Sequence, residues 1–284
     1  MITGHTRNFG VIGHPIGHSL SPAMQNAGIQ AAGLDAVYIA MPVEERELAQ
    51  AVTGLKTLGF QGFNVTIPHK QAIMPFLDAI DKDAQVIGAV NAVGIQDGFL
   101  TGYNTDVVGF LQGMHNHGFA PAGKRAVLLG AGGAARAIIW GLIKEGVASL
   151  TIGVRNVYKA QKVAEYFRPY MDIQVLDWQS PEFSQLLSQA ELLVNSTPLG
   201  MEPNTLVMPP IDWRFVSPTV FVYDIIYTPA ETMFLRTARE RGCQTLNGEE
   251  MLVGQGAEAF RIWTGQQLPI EPMAEVLRQC LENQ

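Results

Sequence analysis

Short apolar runs alternate with helix-spaced segments from the start of the chain. Phe9 to Gly13, Ala36 to Met41 and Phe60 to Thr66 have the length and apolar density of strands, whereas Pro22 to Ala32 and Glu44 to Leu58 keep the spacing of helices. This is βαβ grammar. Ala92 to Ile95 and Phe99 to Gly102 flank Gln96-Asp97-Gly98, whose Asp-Gly pair signals a hairpin that closes the first series. Asp106 to Gly118 reads as a helix leading through Pro121 into a second series. Its strands are expected at Arg125 to Leu129, Ser149 to Val154, Ile173 to Leu176, Leu192 to Asn195 and Val220 to Ile225, and a parallel sheet is the economical way to arrange them. Glu249 to Trp263 and Glu271 to Leu281 are helical, follow Gly248 and bring no strands with them. They are expected to return to the first domain.

Composition narrows the class. A chain of 284 residues, 47% apolar and 16% charged, can fill two cores or one large α/β core. A net charge of -7 without a Lys/Arg-rich run argues against nucleic acid or an anionic membrane as the main partner. Cys243 and Cys280 are too few for a disulfide framework or a cysteine-built zinc site and fit a reducing cytoplasm. No segment has the apolar length to span a membrane, and Met1 to Gly17 lacks the charged start and apolar run of a signal peptide, so a soluble, unexported protein is expected. His5, His14, His18, His69, His115 and His117 form neither a Cys/His cluster nor an H-E-x-x-H spacing, and no metal is expected.

Three segments carry candidate chemistry. Asn64-Val65-Thr66-Ile67-Pro68-His69-Lys70 sets an amide, a hydroxyl and an amine at the mouth of a helix, with Pro68 expected at the first helical position and Lys70 in the first turn. The helix's partial positive charge there disfavours an ammonium ion, and a lysine near neutrality can take a proton from a substrate hydroxyl. A surface lysine after a strand has the same local sequence, as does His69 beside it in a supporting role at most. Further on, the strand ending at Leu129 runs into Gly130-Ala131-Gly132-Gly133-Ala134-Ala135 and then the apolar helix Ala137 to Ile143. That is a G-x-G-x-x-A dinucleotide turn: Gly130 permits the turn, Gly132 lets backbone approach a pyrophosphate, and Ala135 lets helix and strand pack closely. Where an NAD-selective site carries an acid, this chain has Val154-Arg155-Asn156 with Lys159 beyond, so a 2′-phosphate and hence NADP is favoured over NAD. Near the N-terminus, Ser19-Leu20-Ser21-Pro22 places Ser21 as the N-cap and Pro22 at the first helical position, and two hydroxyls beside free helical amides suit either capping or a carboxylate ligand.

Taken together, Ser19-x-Ser21-Pro22, Asn64-Val65-Thr66-x-Pro68-x-Lys70, Gly88-Ala89-Val90-Asn91, Asn104-Thr105-Asp106, the glycine turn, Asn195-Ser196-Thr197-Pro198-Leu199-Gly200-Met201, Tyr223-Asp224-x-x-Tyr227 and Met251-Leu252-Val253-x-Gln255 resemble the shikimate dehydrogenase family from about Phe9 to Gly265. The resemblance implies an α/β protein with an N-terminal α/β substrate domain, residues 1–106 and 248–284, completed by the C-terminal helices. A Rossmann-type, doubly wound NADP domain, residues 107–247, is inserted between them. It implies reversible hydride transfer between NADP and C3 of shikimate in aromatic amino-acid (chorismate) biosynthesis. Quinate-oxidising relatives of a catabolic or specialised pathway, or a dinucleotide sensor without turnover, are the alternatives. Retention of both Lys70 and Asp106 argues against the sensor.

The same resemblance assigns residues. Lys70 and Asp106 match the catalytic pair; Ser19 and Ser21, assisted by Tyr227, bind the substrate carboxylate; Asn64, Thr66, Asn91 and Gln255 hold ring hydroxyls. Gly130, Ala131, Gly132, Gly133, Ala134, Arg155, Lys159, Thr197, Ile225, Gly248 and Met251 fall on the nucleotide side. An Asp106 carboxylate orients the lysine and favours its charged form, opposing the helix-end effect. The family's nucleotide fingerprint is usually Asn-Arg-Thr, and Val154-Arg155-Asn156 departs from it at both flanks, which loosens the expected phosphate grip. The partners expected are a small ring acid and, for assembly, a second copy of the chain in a homodimer.

Overall fold

The computed structural model describes residues 2–282; Met1, Asn283 and Gln284, at the ends of the expected 1–106 and 248–284 ranges, lie outside the described residues. The chain divides into two compact units, Met1–Gly109 with Val253–Gln284, and Phe110–Leu252.

The first unit begins with β1 (Arg7–Gly13), α1 (Ser21–Ala31), β2 (Ala36–Pro42), α2 (Leu48–Thr57), β3 (Phe60–Val65), α3 (His69–Ala72), β4 (Ala79–Ile80), α4 (Lys82–Ile87), β5 (Ala92–Gln96) and β6 (Phe99–Tyr103), followed by the start of α5 (Asp106–Asn116). Its strands form one six-stranded sheet in the order β2-β1-β3-β5-β6-β4. β1 runs parallel to β2 and β3, while β5 is antiparallel to β3 and β6. The hairpin expected from Asp-Gly is present: Asp97 and Gly98 both have positive φ, at 51° and 76°, as a two-residue primed turn demands. Ile12, Phe63, Val65, Val90 and Val93 pack on Leu48, Val52 and Leu55 of α2 to make one core.

Two helix starts differ from the sequence expectation. Leu20, not Ser21, is the N-cap of α1, and Ser21 is its first residue with no side-chain cap bond. Ser19 Oγ instead accepts the Ser21 N–H at 3.3 Å, so the hydroxyl two positions earlier serves the helix start. Pro68 is likewise the N-cap of α3 rather than its first residue, which leaves Lys70 in a helix of a single turn. The helical spacing from Glu44 also covers a 3-10 turn, Glu45–Glu47, before α2 begins at Leu48.

The second unit holds the rest of α5, then β7 (Arg125–Leu129), α6 (Gly133–Lys144), β8 (Ser149–Val154), α7 (Val157–Phe167), β9 (Gln174–Asp177), α8 (Pro181–Leu187), β10 (Leu192–Asn195), β11 (Phe221–Asp224), α9 (Met233–Glu240) and β12 (Gln244–Leu246). All neighbours in its six-stranded sheet are parallel, in the order β12-β11-β10-β7-β8-β9. β10 and β11 are buried along their whole length, as a parallel sheet covered on both faces requires. Strand order reverses between β7 and β10, and open α/β sheets bind ligands outside the carboxyl ends of their strands at such a switch point.

The chain ends with α10 (Glu249–Thr264), in which the division between units falls, and α11 (Ile270–Glu282). Both return to the first unit, as expected. Phe9 of β1 packs on Phe260 and stacks on Trp263 with centroids 5.1 and 5.3 Å away, and Met273 of α11 fills the space that Gly28 of α1 leaves. Among the described residues no helix is long and apolar enough to cross a membrane.

Candidate active site

The register of the first sheet gathers the polar residues of its unit at one edge. Ile12 lies opposite Val65, so the loop carrying Ser19 and Ser21 and the loop carrying Thr66 and Lys70 leave β1 and β3 side by side, joined by His14 N–H donating to Ile67 O at 3.0 Å. Asn64 pairs with Ala92 and Ala92 with Tyr103, which brings Asn91, at the start of β5, and Asp106, just beyond β6, to the same edge. There Lys70 Nζ lies 2.6 Å from Asp106 Oδ2, and the lysine side chain keeps 22% of its surface exposed against 10% for the aspartate. The amine is thus reachable from solvent while its carboxylate partner is largely enclosed.

Asn91 holds that carboxylate. Its Nδ2 donates to Asp106 Oδ1 at 2.8 Å and Thr105 Oγ1 at 3.0 Å, with Gln255 Oε1 at 3.4 Å, and its Oδ1 accepts the Thr105 N–H at 2.7 Å. A primary amide has two N–H bonds, so Asn91 spends both inside the protein and sets the position of Asp106 and Gln255. Asn64 is similarly engaged, accepting from Tyr38 OH at 2.7 Å and donating to Asn91 O at 3.0 Å. Asn104 Oδ1 accepts the Asp106 N–H at 3.2 Å and so fixes the start of α5. The structure therefore joins Asn64, Lys70, Asn91, Asp106 and Gln255 in one polar cluster. Ser19 and Ser21 contact each other, and Thr66 accepts from His69 N–H through its carbonyl at 2.9 Å. Tyr227 belongs to the second unit, where burial pushes its phenol pKa up.

In the second unit, Gly130 has φ +101°, and a Cβ there would lie 2.9 Å from Ser196 Oγ and from Thr197 Cγ2. The turn is therefore closed on the β10 side, while Cβ atoms at Gly132 and Gly133 would meet nothing within 4 Å. α6 starts at Gly133 with no side-chain cap and no acid in its first turn, so no capping side chain or carboxylate occupies its start. That is a cradle of the right chemistry for a pyrophosphate. Arg155 and Lys159 are exposed at the start of α7, and Asn156 Oδ1 accepts the Lys159 N–H at 3.0 Å as the N-cap. Asn156 thus supplies the cap at the fingerprint's third position, and the departure there leaves the two cations on an ordered helix start. Val154 is buried at the end of β8. These residues fit an NADP molecule. Gly248 N–H donates to Ile226 O at 2.9 Å, and a Cβ on Gly248 would overlap Ile225 O, so Ile225 and Gly248 are packed backbone to backbone.

Several supporting contacts have no signature in the sequence, although His69 is weighed there in a supporting role and Asn195 and Asp224 stand in the quoted motifs. Tyr38, buried at 1% exposure, looks like a core aromatic, and only the β1–β2–β3 register reveals that its hydroxyl reaches Asn64; burial raises its pKa. His69 is fully buried with Nε2 2.7 Å from Val43 O, so it ties the Lys70 segment to the chain beyond β2. Asn195, Asp224 and Thr232 form a buried polar group at the ends of β10 and β11. Among the described residues no group of histidine, cysteine and carboxylate side chains suits a metal ion.

Fold and site together define a two-unit α/β protein in which a lysine–carboxylate pair occupies one unit and a Rossmann-type dinucleotide turn the other. Residues 11–93 match the shikimate dehydrogenase substrate binding domain, 115–202 the shikimate / quinate 5-dehydrogenase family and 248–278 the shikimate 5'-dehydrogenase C-terminal domain. The shikimate dehydrogenase (NADP(+)) of Moorella thermoacetica is 46% identical over 276 residues, covering 95% of this chain and 92% of that protein. A shikimate dehydrogenase solved in complex with NADP+ superposes with a TM-score of 0.93 at 39% identity, covering 99% of this chain and 98% of the other. The enzyme from Thermus thermophilus, solved with NADP(H) and shikimate, gives 0.88 at 34% identity, covering 97% and 100%. The chain belongs to the shikimate dehydrogenase family.

Proposed function

We propose that this protein is an NADP-dependent shikimate dehydrogenase, catalysing the reversible reduction of 3-dehydroshikimate to shikimate in aromatic amino-acid biosynthesis. The observation that carries the reading is the Lys70–Asp106 contact of 2.6 Å, held by the buried Asn91 beside the strand ends of the first sheet. When bound, NADP supplies the hydride acceptor for the alcohol or, reduced, the hydride donor for the ketone. Alcohol oxidation also needs a base for the hydroxyl proton, and ketone reduction needs the conjugate acid. Lys70 Nζ serves both directions: as the amine it takes the proton from the hydroxyl, and as the ammonium it returns one to the carbonyl oxygen. Asp106 orients that nitrogen, and Asn91 orients Asp106.

In this reading residues 1–106 and 248–284 form the substrate-binding catalytic domain and 107–247 the NADP domain. Ser19, Ser21 and Tyr227 bind the carboxylate of the ring acid, while Asn64, Thr66 and Gln255 address its hydroxyls, with Asn91 in support. Gly130 to Ala134 hold the pyrophosphate, Arg155 and Lys159 the 2′-phosphate, and Thr197, Ile225, Gly248 and Met251 the rest of the nucleotide. Two unpaired cysteines, Cys243 and Cys280, suit a cytoplasmic setting. A homodimer is the expected assembly, and sedimentation velocity reads it directly. The decisive experiment follows reduced-nicotinamide absorbance with purified protein, shikimate or quinate, and NADP or NAD in all pairings. Turnover is expected with shikimate and NADP; activity confined to quinate, or absent throughout, overturns the reading.

A further inference from the structure

Asp224 takes no part in the chemistry described so far, yet its carboxyl has no exposed surface and, among the described residues, no cationic partner. Burial pushes its pKa up to about 6, against the pull of its hydrogen bonds to Thr232, Ile226 and Asn195. A group that costly to bury is retained in a core only when its hydrogen bonding cannot be replaced cheaply. Its contacts show what it does. Oδ1 accepts Asn195 Nδ2 at 3.0 Å and the Ile226 N–H at 3.2 Å, and Oδ2 accepts Thr232 Oγ1 at 2.7 Å. Asn195 and Asp224 are register partners at the last positions of β10 and β11, and Asn195 is also the register partner of Leu129, the residue before Gly130. The group therefore sits at the carboxyl ends of adjacent strands, beside the switch point.

An ionised carboxylate can only accept, which settles the orientation of everything attached to it. Asn195 must present Nδ2 to Asp224, so its Oδ1 faces the other way and takes the Thr197 N–H at 3.0 Å and Thr197 Oγ1 at 2.7 Å. Thr197 in turn lies against Gly130, 2.9 Å from where a Cβ would be, and the neighbouring Ser196 Oγ donates to Leu129 O at 2.8 Å. On its other side Asp224 fixes the Ile226 N–H, and the carbonyl of the same residue accepts the Gly248 N–H at 2.9 Å. One carboxylate thus sets the backbone of two segments, 195–197 and 225–226, and through them reaches the Gly130 turn and Gly248.

We propose that Asp224 is a positioning residue for nucleotide binding, acting through Asn195 to hold Thr197 against the Gly130 turn and through Ile226 to hold Ile225 beside Gly248. The inference rests on the nucleotide reading of the second unit and adds to it a residue that touches no nucleotide.

The test is direct fluorescence titration of NADPH into the parent, Asp224→Ala, Asn195→Ala and the double variant, with KM for shikimate measured alongside. Because Asp224 acts through Asn195 and also through Ile226, Asn195→Ala should weaken NADPH by about tenfold, Asp224→Ala by at least as much, and the double variant no more than Asp224→Ala, since coupled residues are non-additive. KM for shikimate should change much less than NADPH affinity, because of its proposed ligands only Tyr227 lies in the second unit. Thr232→Val, which removes the third donor without touching Asn195, should lower the melting temperature and leave NADPH affinity near that of the parent. If Asp224→Ala does not fold, Asn195→Ala decides, since one of the two proposed paths runs through it and must show the loss. A folded Asp224→Ala or Asn195→Ala protein that binds NADPH as the parent does overturns the inference, and so do single effects that multiply in the double variant. A parent that fails to bind NADPH overturns the nucleotide reading and the inference with it, whereas a parent that binds beside unaffected variants overturns the inference alone.

Discussion

A lysine can shuttle a proton only while its nitrogen faces both a substrate oxygen and a group that fixes its direction, and Lys70 has the second of these in Asp106 at 2.6 Å. Lys70→Ala should therefore lower kcat by on the order of 100-fold or more with a much smaller change in KM, because positioned acid–base groups contribute roughly 10²- to 10⁴-fold. Steady-state kinetics on the folded variant checks this, and a kcat within about threefold of the parent would remove Lys70 from the mechanism. At the serine pair the structure reverses the division of labour that the sequence suggests. Ser19 Oγ accepts the Ser21 N–H, and Ser21 makes no cap bond. Ser19→Ala should accordingly raise KM for the ring acid and cost about 0.5 to 2 kcal/mol of stability, the range for a lost helix-start acceptor. Ser21→Ala should raise KM and leave the melting temperature almost unchanged. Equal melting losses with unaltered KM in both would make the pair a structural feature of α1.

At the scale of elements, the proposed preference for NADP rests on the start of α7. Asn156 caps the helix and leaves Arg155 and Lys159 exposed beside the end of β8, with Val154 where an acid would have to stand to reward a free ribose hydroxyl. Charge-assisted bonds from two cations should favour NADP by roughly ten- to hundredfold in kcat/KM. Arg155→Ala should remove most of that margin while barely changing turnover with NAD; a parent that prefers NAD, or a variant that keeps its NADP preference, contradicts the assignment. The same elements show what the sequence can reveal. β7, β8 and β10 occupy the ranges their apolar runs predict, because strands covered on both faces are written as continuous apolar stretches. β4 and β12, of two and three residues, are too short to carry a period and were not foreseen. The misplaced cap of α1 has a similar origin: Ser19 and Ser21 both fit a helix start, and the choice depends on how the loop leaves β1. Lys70 and Asp106 stand 36 positions apart, so no local spacing pairs them. The family resemblance pairs them, and the register of β3, β5 and β6 gives the physical reason. Asn195 and Asp224 stand in the family motifs, but their contact has no local signature, because both end apolar strands and meet only through the β10–β11 register.

For the molecule as a whole, Asp224 makes a prediction about stability and pH whose sign follows from linkage. Its carboxyl is raised from 3.8 to about 6 in the folded chain, so between those values the folded state holds a proton that the unfolded state has released. The stabilisation from that proton is fully present below 3.8 and is lost as pH rises through about 6. On this group's account alone the fold is weaker at pH 8 than at pH 4, by on the order of a few kcal/mol. Half-buried carboxylates act in the opposite direction: Glu191, hydrogen-bonded by Arg125 and Lys124, and Asp212, hydrogen-bonded by Arg214, have lowered pKa values and lose their contribution as pH falls. The raw pH profile of the parent mixes the two signs, so the comparison must be between parent and Asp224→Asn, which keeps a side chain of the same shape but carries no charge at any pH. Denaturant unfolding from about pH 4 to pH 8 should show the variant gaining stability relative to the parent as pH rises through about 6, with the difference levelling off above it. A parent-to-variant difference that is flat across the range would mean that Asp224 titrates alike in the folded and unfolded chain, and that its burial does not cost the fold what its surroundings imply.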